Sequence, residues 1–168
     1  MDIYYNWGRL KKWCVRNFNA AGRMSWKFRF KNFCYLHFGF LYPHSKKLRY
    51  KYVVSTATYN VGLYIEDYFR SIIWQSVNFK KSIYLVITDD ASIDNTAAII
   101  KKWQRRYPKN IIYLKHDENQ GVSATRNTGL KYILENIEAD FITFSDPDDF
   151  VNRNYFWHVD QAVLTADT

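Results

Sequence analysis

Residues 85–96 read LVITDDASIDNT, and the order of residue types in that stretch decides the fold. The apolar run from Ile83 to Ile87 predicts a buried strand, and two carboxylates, Asp89 and Asp90, stand at its carboxyl end. Ser92 or Asp94 can then cap a helix that carries Ile93, Ala97, Ile100, Trp103 and Tyr107 on one stripe, with Pro108 just past its end. Strand, polar cluster, cap and helix follow one another within about two dozen residues.

The same unit recurs on both sides. Upstream, Tyr52 to Ala57 (YVVSTA) predicts a strand ending in Thr58-Tyr59-Asn60, with Asn60 placed to cap a helix. In that helix Tyr64, Tyr68 and Ile72, beside Ile65, Phe69 and Ile73, repeat at four residues and form a broad apolar face. Downstream, Ile111 to Leu114 predicts a third strand and Val122 to Leu134 a third helix, joined by residues 117–121. Phe141 to Phe144 predicts a fourth strand, followed by Asp146-Pro147-Asp148-Asp149 and a last helix from Asn152 through Leu164.

Strands alternating with helices imply an α/β fold with a parallel sheet, because each parallel crossover needs a helix on a face of the sheet. Continuous apolar strands fit a sheet covered on both sides. Ligands of open α/β sheets bind beyond the carboxyl ends of the strands. Four acid- or amide-rich clusters are therefore expected to converge on one rim.

Composition narrows the partners. The chain has 168 residues and a net charge of +8, with 19% aromatic residues. Residues 1–51 hold 12 of the Lys and Arg against one acid, Asp2, whereas the remaining residues hold 12 bases against 15 acids. The basicity thus belongs to an N-terminal extension, residues 1–50, and residues 51–168 form a mildly acidic domain. Cys14 and Cys34 lack metal-type spacing and read as reduced thiols. The most apolar run of the extension, Phe33 to Tyr42, is far shorter than a membrane span of ~20 residues, and no signal-peptide order precedes it. A cytoplasmic location is expected. No GxGxxG follows the first strand, and no P-loop, serine elbow or HExxH pairing occurs anywhere.

The polar clusters carry the chemistry. Asp146, Asp148 and Asp149 would repel one another without a cation, and hard oxygen donors suit Mg²⁺ or Mn²⁺. The alternative is a solvated Asp–Pro turn capping the next helix. Asp89 and Asp90 are placed to accept from a base or ribose, with cap duty assigned to Ser92 and Asp94. Gly121 permits an unusual backbone angle, and Arg126 can engage a phosphate through two parallel bonds, or else pair with Glu118 or Asp149.

Read in order, VVSTATYN (53–60), LVITDDASIDNT (85–96), HDENQGVSATRNTGL (116–130) and FITFSDPDDF (141–150) resemble the GT-A nucleotide-sugar domain of family 2 glycosyltransferases. The resemblance spans Tyr52 to Phe150 and implies transfer of a sugar from a nucleotide-diphosphate sugar, a UDP-sugar, to a hydroxyl with inversion. It implies a glycan or glycolipid acceptor in bacterial cell-surface polysaccharide synthesis. It also assigns Thr58, Tyr59, Asp89 and Asp90 to the base pocket, Asn119, Gly121 and Arg126 to the nucleotide, and Asp146 to the ribose or metal. Asp148, with Asp146, would hold Mn²⁺ or Mg²⁺. Ala57, Ala91 and Thr125 stand where the family has Pro, Gly and Ala. The family's general base lies downstream of the DxDD segment, so it is expected beyond Thr168, and the domain reads as truncated. Two rival readings are a nucleotide-sugar-binding fragment without transfer and a receiver-like Mg²⁺ module. A receiver needs an acid pair after its first strand, where this chain has Thr58-Tyr59-Asn60.

Fourteen aromatics are interleaved with the bases of residues 1–51. That mixture suits peripheral contact with anionic lipid at the inner face of the cell membrane, or a helical arm packed on protein. Single-stranded nucleic acid has the same chemistry, but the attached domain has no use for it.

Overall fold

The computed structural model describes residue 41 and residues 44–166. Four strands, β1 (Tyr52–Thr58), β2 (Ile83–Asp89), β3 (Ile111–Lys115) and β4 (Phe141–Phe144), form one parallel sheet in the order β3-β2-β1-β4. Between them run α1 (Ile65–Ile73), the short α2 (Phe79–Ser82), α3 (Thr96–Arg106) and α4 (Val122–Asn136), and α5 (Tyr155–Ala166) follows β4. The α/β architecture and parallel pairing are as the sequence predicts. Single-turn α2 carries no periodicity and has no counterpart in the sequence reading.

Side chains alternate across the pleat, so each buried strand serves two cores. Val53 and Val86 face α4, where they pack with Ile133, Ile112, Leu114 and Tyr132. Of the opposite set, Val54, Leu85 and Ile87 are buried, as are Ile65, Phe69 and Ile72 of α1, Ile100 and Trp103 of α3, and Phe156 of α5. The two-sided burial expected of every strand holds for β1 and β2 but not for β4. As an edge strand it leaves Phe144 at 51% exposure, with Phe141 and Ile142 also partly open.

Caps differ from the sequence expectation because side chains near the rim tie loops to each other. Asn60 takes a left-handed φ of 52° and its Oδ1 accepts from Ile93 N, so it does not cap α1, which starts after Tyr64. Ser92 Oγ accepts from Asn60 N, and Asp94 accepts from both Gly62 N and Thr96 N. Of the two expected caps, only Asp94 therefore serves the start of α3. Asn152 accepts from Asn154 N, and α5 begins three residues later than expected.

Strand order is what places the site. From β1 the chain steps to β2 and β3 on one side, then returns through α4 to lay β4 on the other side of β1. Such a reversal opens a crevice between the carboxyl ends of the two strands where the order turns, here β1 and β4.

At the opposite end, Asp160 of α5 is buried and receives Arg49 N, Tyr50 N and the Tyr52 hydroxyl at 3.0–3.1 Å or slightly longer. Burial, with this carboxylate beside it, drives the Tyr52 phenol well above its ordinary range. Lys46 adds a bridge to Val77 and sets its Nζ 3.5 Å from the centre of the Trp157 ring. Residues 44–50 are thereby fastened to the domain. The remainder of the extension, and the membrane or arm role expected of it, lies outside the described residues. Among the described residues no helix is long and apolar enough to cross a membrane. Asp160→Ala leaves the buried Tyr52 hydroxyl and two amides without their acceptor, and should cost about 2–3 kcal/mol in urea unfolding; a loss below about 0.5 kcal/mol would mean the fastening is idle.

Candidate nucleotide-binding site

Each strand of the sheet delivers its following loop to the same rim. Tyr59 follows β1, the Asp89–Asp90 pair closes β2, residues 117–121 follow β3, and residues 145–149 follow β4. The sequence-predicted residues divide into two layers there. Tyr59, Asn119, Gly121, Arg126, Asp146 and Asp148 are exposed. Thr58, Asp89 and Asp90 lie beneath them, each at 3% exposure or less.

The lower layer is hydrogen-bonded within the protein. The Thr58 hydroxyl donates to Thr88 O. Asp89 accepts from Ser92 N and from the Tyr113 hydroxyl, at 3.1 and 2.8 Å. Asp90 accepts from Gln120 N and Gly121 N, both at 2.9 Å, and holds His116 Nδ1 at 2.8 Å. The base-pocket residues expected from the sequence, Thr58, Asp89 and Asp90, thus lie beneath the rim with partners inside the protein. The acids at this strand end shape the loops above them. Burial alone would raise the Asp90 carboxyl, but the donors from Gln120, His116, Gly121 and Thr125 together hold it below the ordinary carboxylate range. Thr125, one of the departures from the family pattern, supplies a hydroxyl where Ala has none, and it donates to Gly121 O at 2.7 Å. Ala91, another departure, sits at φ 59°, a left-handed angle that glycine adopts without strain.

His116 is the residue that sequence reasoning missed. Its own backbone N–H donates to Asp89 O, because β2 and β3 run parallel and in register there. A histidine directly after one strand, beside an acid pair at the end of its neighbour, was the available signal once the two strands are paired.

The upper layer holds the exchangeable charges. Gly121 has φ 86°, and no atom stands within 4 Å of where a Cβ would be, so its backbone is open to close approach. Asn119 Oδ1 accepts from Gly121 N and shapes that loop. Arg126, on the first turns of α4, donates to Asp146 Oδ1 at 2.8 Å, with both side chains about half exposed. This partner is neither Glu118 nor Asp149. Asp149 N bonds back to Asp146 O, and Pro147 is buried in that tight turn. A cleft of about 410 Å³ opens here, lined by Arg126, Asn127, Leu130, Phe144, Ser145, Asp146 and Asp149. That volume lies within the range of small-molecule sites.

The donor chemistry fits a hard divalent cation. Asp146, which lines the cleft, and Asp148 are exposed carboxylates two residues apart. Among the described residues no group of three His, Cys, Asp or Glu could hold a metal without help. Mg²⁺ characteristically takes one or two carboxylates and completes its shell with water and substrate phosphate.

Comparison with known proteins agrees with this architecture. The model of Glycosyl transferase family 2 matches residues 53–159. The minor teichoic acid biosynthesis protein GgaB of Bacillus subtilis is 40% identical over 116 residues, covering 69% of this chain and 12% of its own. The glycosyltransferase GlyA of Streptococcus pneumoniae is 35% identical over 62% of this chain and 14% of its own. The solved structure of Staphylococcus aureus TarS residues 1–349 in complex with UDP-GlcNAc superposes with a TM-score of 0.58 at 29% identity, covering 70% of this chain and 31% of that one. The chain thus spans well under half the length of the relatives it matches.

The Asp90 carboxyl makes a pH prediction. Its folded-state value is depressed, so its contribution to stability is present above the ordinary carboxylate range and is lost as pH falls through the folded value. Asp90→Asn should cost about 2 kcal/mol at pH 7 and should make stability less sensitive to acid below pH of about 4. Chemical unfolding of both proteins from pH 3 to 7 checks this, and parallel curves would contradict it.

Proposed function

This chain belongs to glycosyl transferase family 2, and from that premise we propose that its carboxyl rim binds a nucleotide-diphosphate sugar, a UDP-sugar, for transfer to a hydroxyl acceptor. The observation that carries the reading is the Arg126–Asp146 pair at the switch point between β1 and β4. An exposed pair of this kind is worth about 0–1 kcal/mol, so a ligand displaces it at little cost. Once parted, Arg126 is free to clamp phosphate oxygens in a planar fork, a geometry that lysine could not reproduce. Asp146 and Asp148 would hold Mn²⁺ or Mg²⁺, which when bound neutralises charge on the departing diphosphate.

The other residues set the frame. Tyr59, exposed at the end of β1, offers a ring face to a base, and the glycine backbone at residue 121 allows a nucleotide to come close. In the inverting reaction the acceptor oxygen bonds to the anomeric carbon as the bond to the diphosphate breaks. A carboxylate takes the hydroxyl proton. We assign residues 51–168 to donor binding and place that base, with most acceptor contacts, outside them. TarS is by its name a poly(ribitol-phosphate) β-N-acetylglucosaminyltransferase and GgaB a teichoic acid biosynthesis protein. The acceptor proposed here is accordingly a bacterial cell-surface polysaccharide or glycolipid. The basic, aromatic residues 1–50 would hold the protein at the inner, anionic face of the membrane.

Calorimetry with UDP tests the reading. The wild-type chain should bind UDP more tightly with Mn²⁺ than without it, and Asp148→Ala should weaken binding about tenfold or more in Mn²⁺ alone, as expected when one charged ligand bond is lost. Equal affinity of the two proteins in Mn²⁺ would remove Asp148 from the metal site.

A further inference from the structure

We propose that His116 is a positioning residue of the nucleotide site, acting through Arg126, an inference that rests on the nucleotide reading above. The ring is buried at 8% exposure and both nitrogens are engaged. Nδ1 lies 2.8 Å from Asp90 Oδ1, and Nε2 lies 2.9 Å from Thr128 Oγ1 on α4. The ionised carboxylate can only accept, so Nδ1 carries the proton, and in the neutral ring Nε2 accepts from the Thr128 hydroxyl. One imidazole thus joins the end of β2 to the second turn of α4.

Two features show what this joint controls. The amino end of a helix presents unpaired N–H groups and ordinarily attracts phosphate. Here the amides of Gln120 and Gly121, just ahead of α4, are already taken by Asp90. With those two amides engaged, Arg126 is the charged side chain that this segment offers a phosphate, and its reach depends on where α4 stands. Secondly, α4 passes so near the sheet that a methyl group on Gly129 would lie 2.9 Å from Thr88 Oγ1 and 3.1 Å from Ser55 Oγ. Thr128 and Gly129 fix the helix against β1 and β2 side by side, and Arg126 projects from the same turn toward Asp146. His116 supplies the polar half of that attachment and touches neither Arg126 nor the cleft.

UDP affinity in Mn²⁺, measured by calorimetry, tests this with six proteins: wild type, His116→Phe, His116→Asn, Thr128→Val, Arg126→Ala and the His116→Phe/Arg126→Ala double variant. His116→Phe should weaken binding about tenfold, the scale of one lost charged hydrogen bond. His116→Asn, whose amide can still donate to Asp90, should recover part of that loss. If His116 acts through Arg126, adding His116→Phe to Arg126→Ala should change affinity less than about twofold. Thr128→Val, which removes only the second arm, should weaken binding about threefold and serves in the same cycle if His116→Phe fails to fold. Wild-type affinity in both His116→Phe and Thr128→Val overturns the proposal, and so does an undiminished loss in the Arg126→Ala background. A wild-type chain that binds no UDP sinks the nucleotide reading and this inference together; a binding wild type with indifferent variants sinks this inference alone.

Discussion

Asp90 carries a negative charge at 3% exposure, and the need to satisfy that charge organises the rim. A buried carboxylate is tolerated only when donors surround it. Its donors come from two amides of the loop after β3 and from His116, the residue directly after β3. Two neighbouring strand ends, one loop and the start of α4 are thereby joined at one side chain. The loop cannot move outward without leaving charge uncompensated, so the surface above it is held ready before any ligand arrives. Asp89 does the same at a smaller scale, gathering Ser92 and Tyr113.

From that base follows a division of labour. Charges beneath the rim are paired and inward, where they cost too much to expose. Charges above it, Arg126 and Asp146, are paired loosely and in water, where separating them costs little. Strand order does the rest. Because β4 lies beside β1 and not beyond β3, the acids that follow β4 arrive next to the first turns of α4. A site for a doubly charged, metal-bridged ligand needs this combination of a rigid floor and exchangeable walls.

Much of the fold was legible in the sequence because its strongest signals are local. Ile83 to Ile87 and Tyr52 to Ala57 are apolar on both faces since they become central strands, and their observed ends differ from the predicted ones by two residues or fewer. What was not legible depends on neighbours distant in the chain. Phe141 to Phe144 reads as a strand covered on both faces, yet it lies at an edge, which apolar content alone does not reveal. Asn60 reads as a cap, yet its amide serves Ile93, 33 residues away. In the site, Arg126 and Asp146 were each singled out, but the ion-pair partner expected for Arg126 was Glu118 or Asp149 and the structure gives Asp146. Asp89 and Asp90 were read as ligand contacts because a carboxylate at a strand end can accept from a base or a ribose. Their inward turn follows from His116 and the loop after it, which become neighbours only when β2 and β3 pair.

The account stands on a preformed rim at the carboxyl ends of β1 and β4, and a backbone amide NMR titration with UDP and Mg²⁺ addresses it most directly. It predicts shifts concentrated at Tyr59, residues 119–121, Arg126 and residues 145–149, with the amides near Asp160 at the amino end of the sheet unmoved. Shifts clustered near Asp160, or spread evenly over the domain, would contradict it.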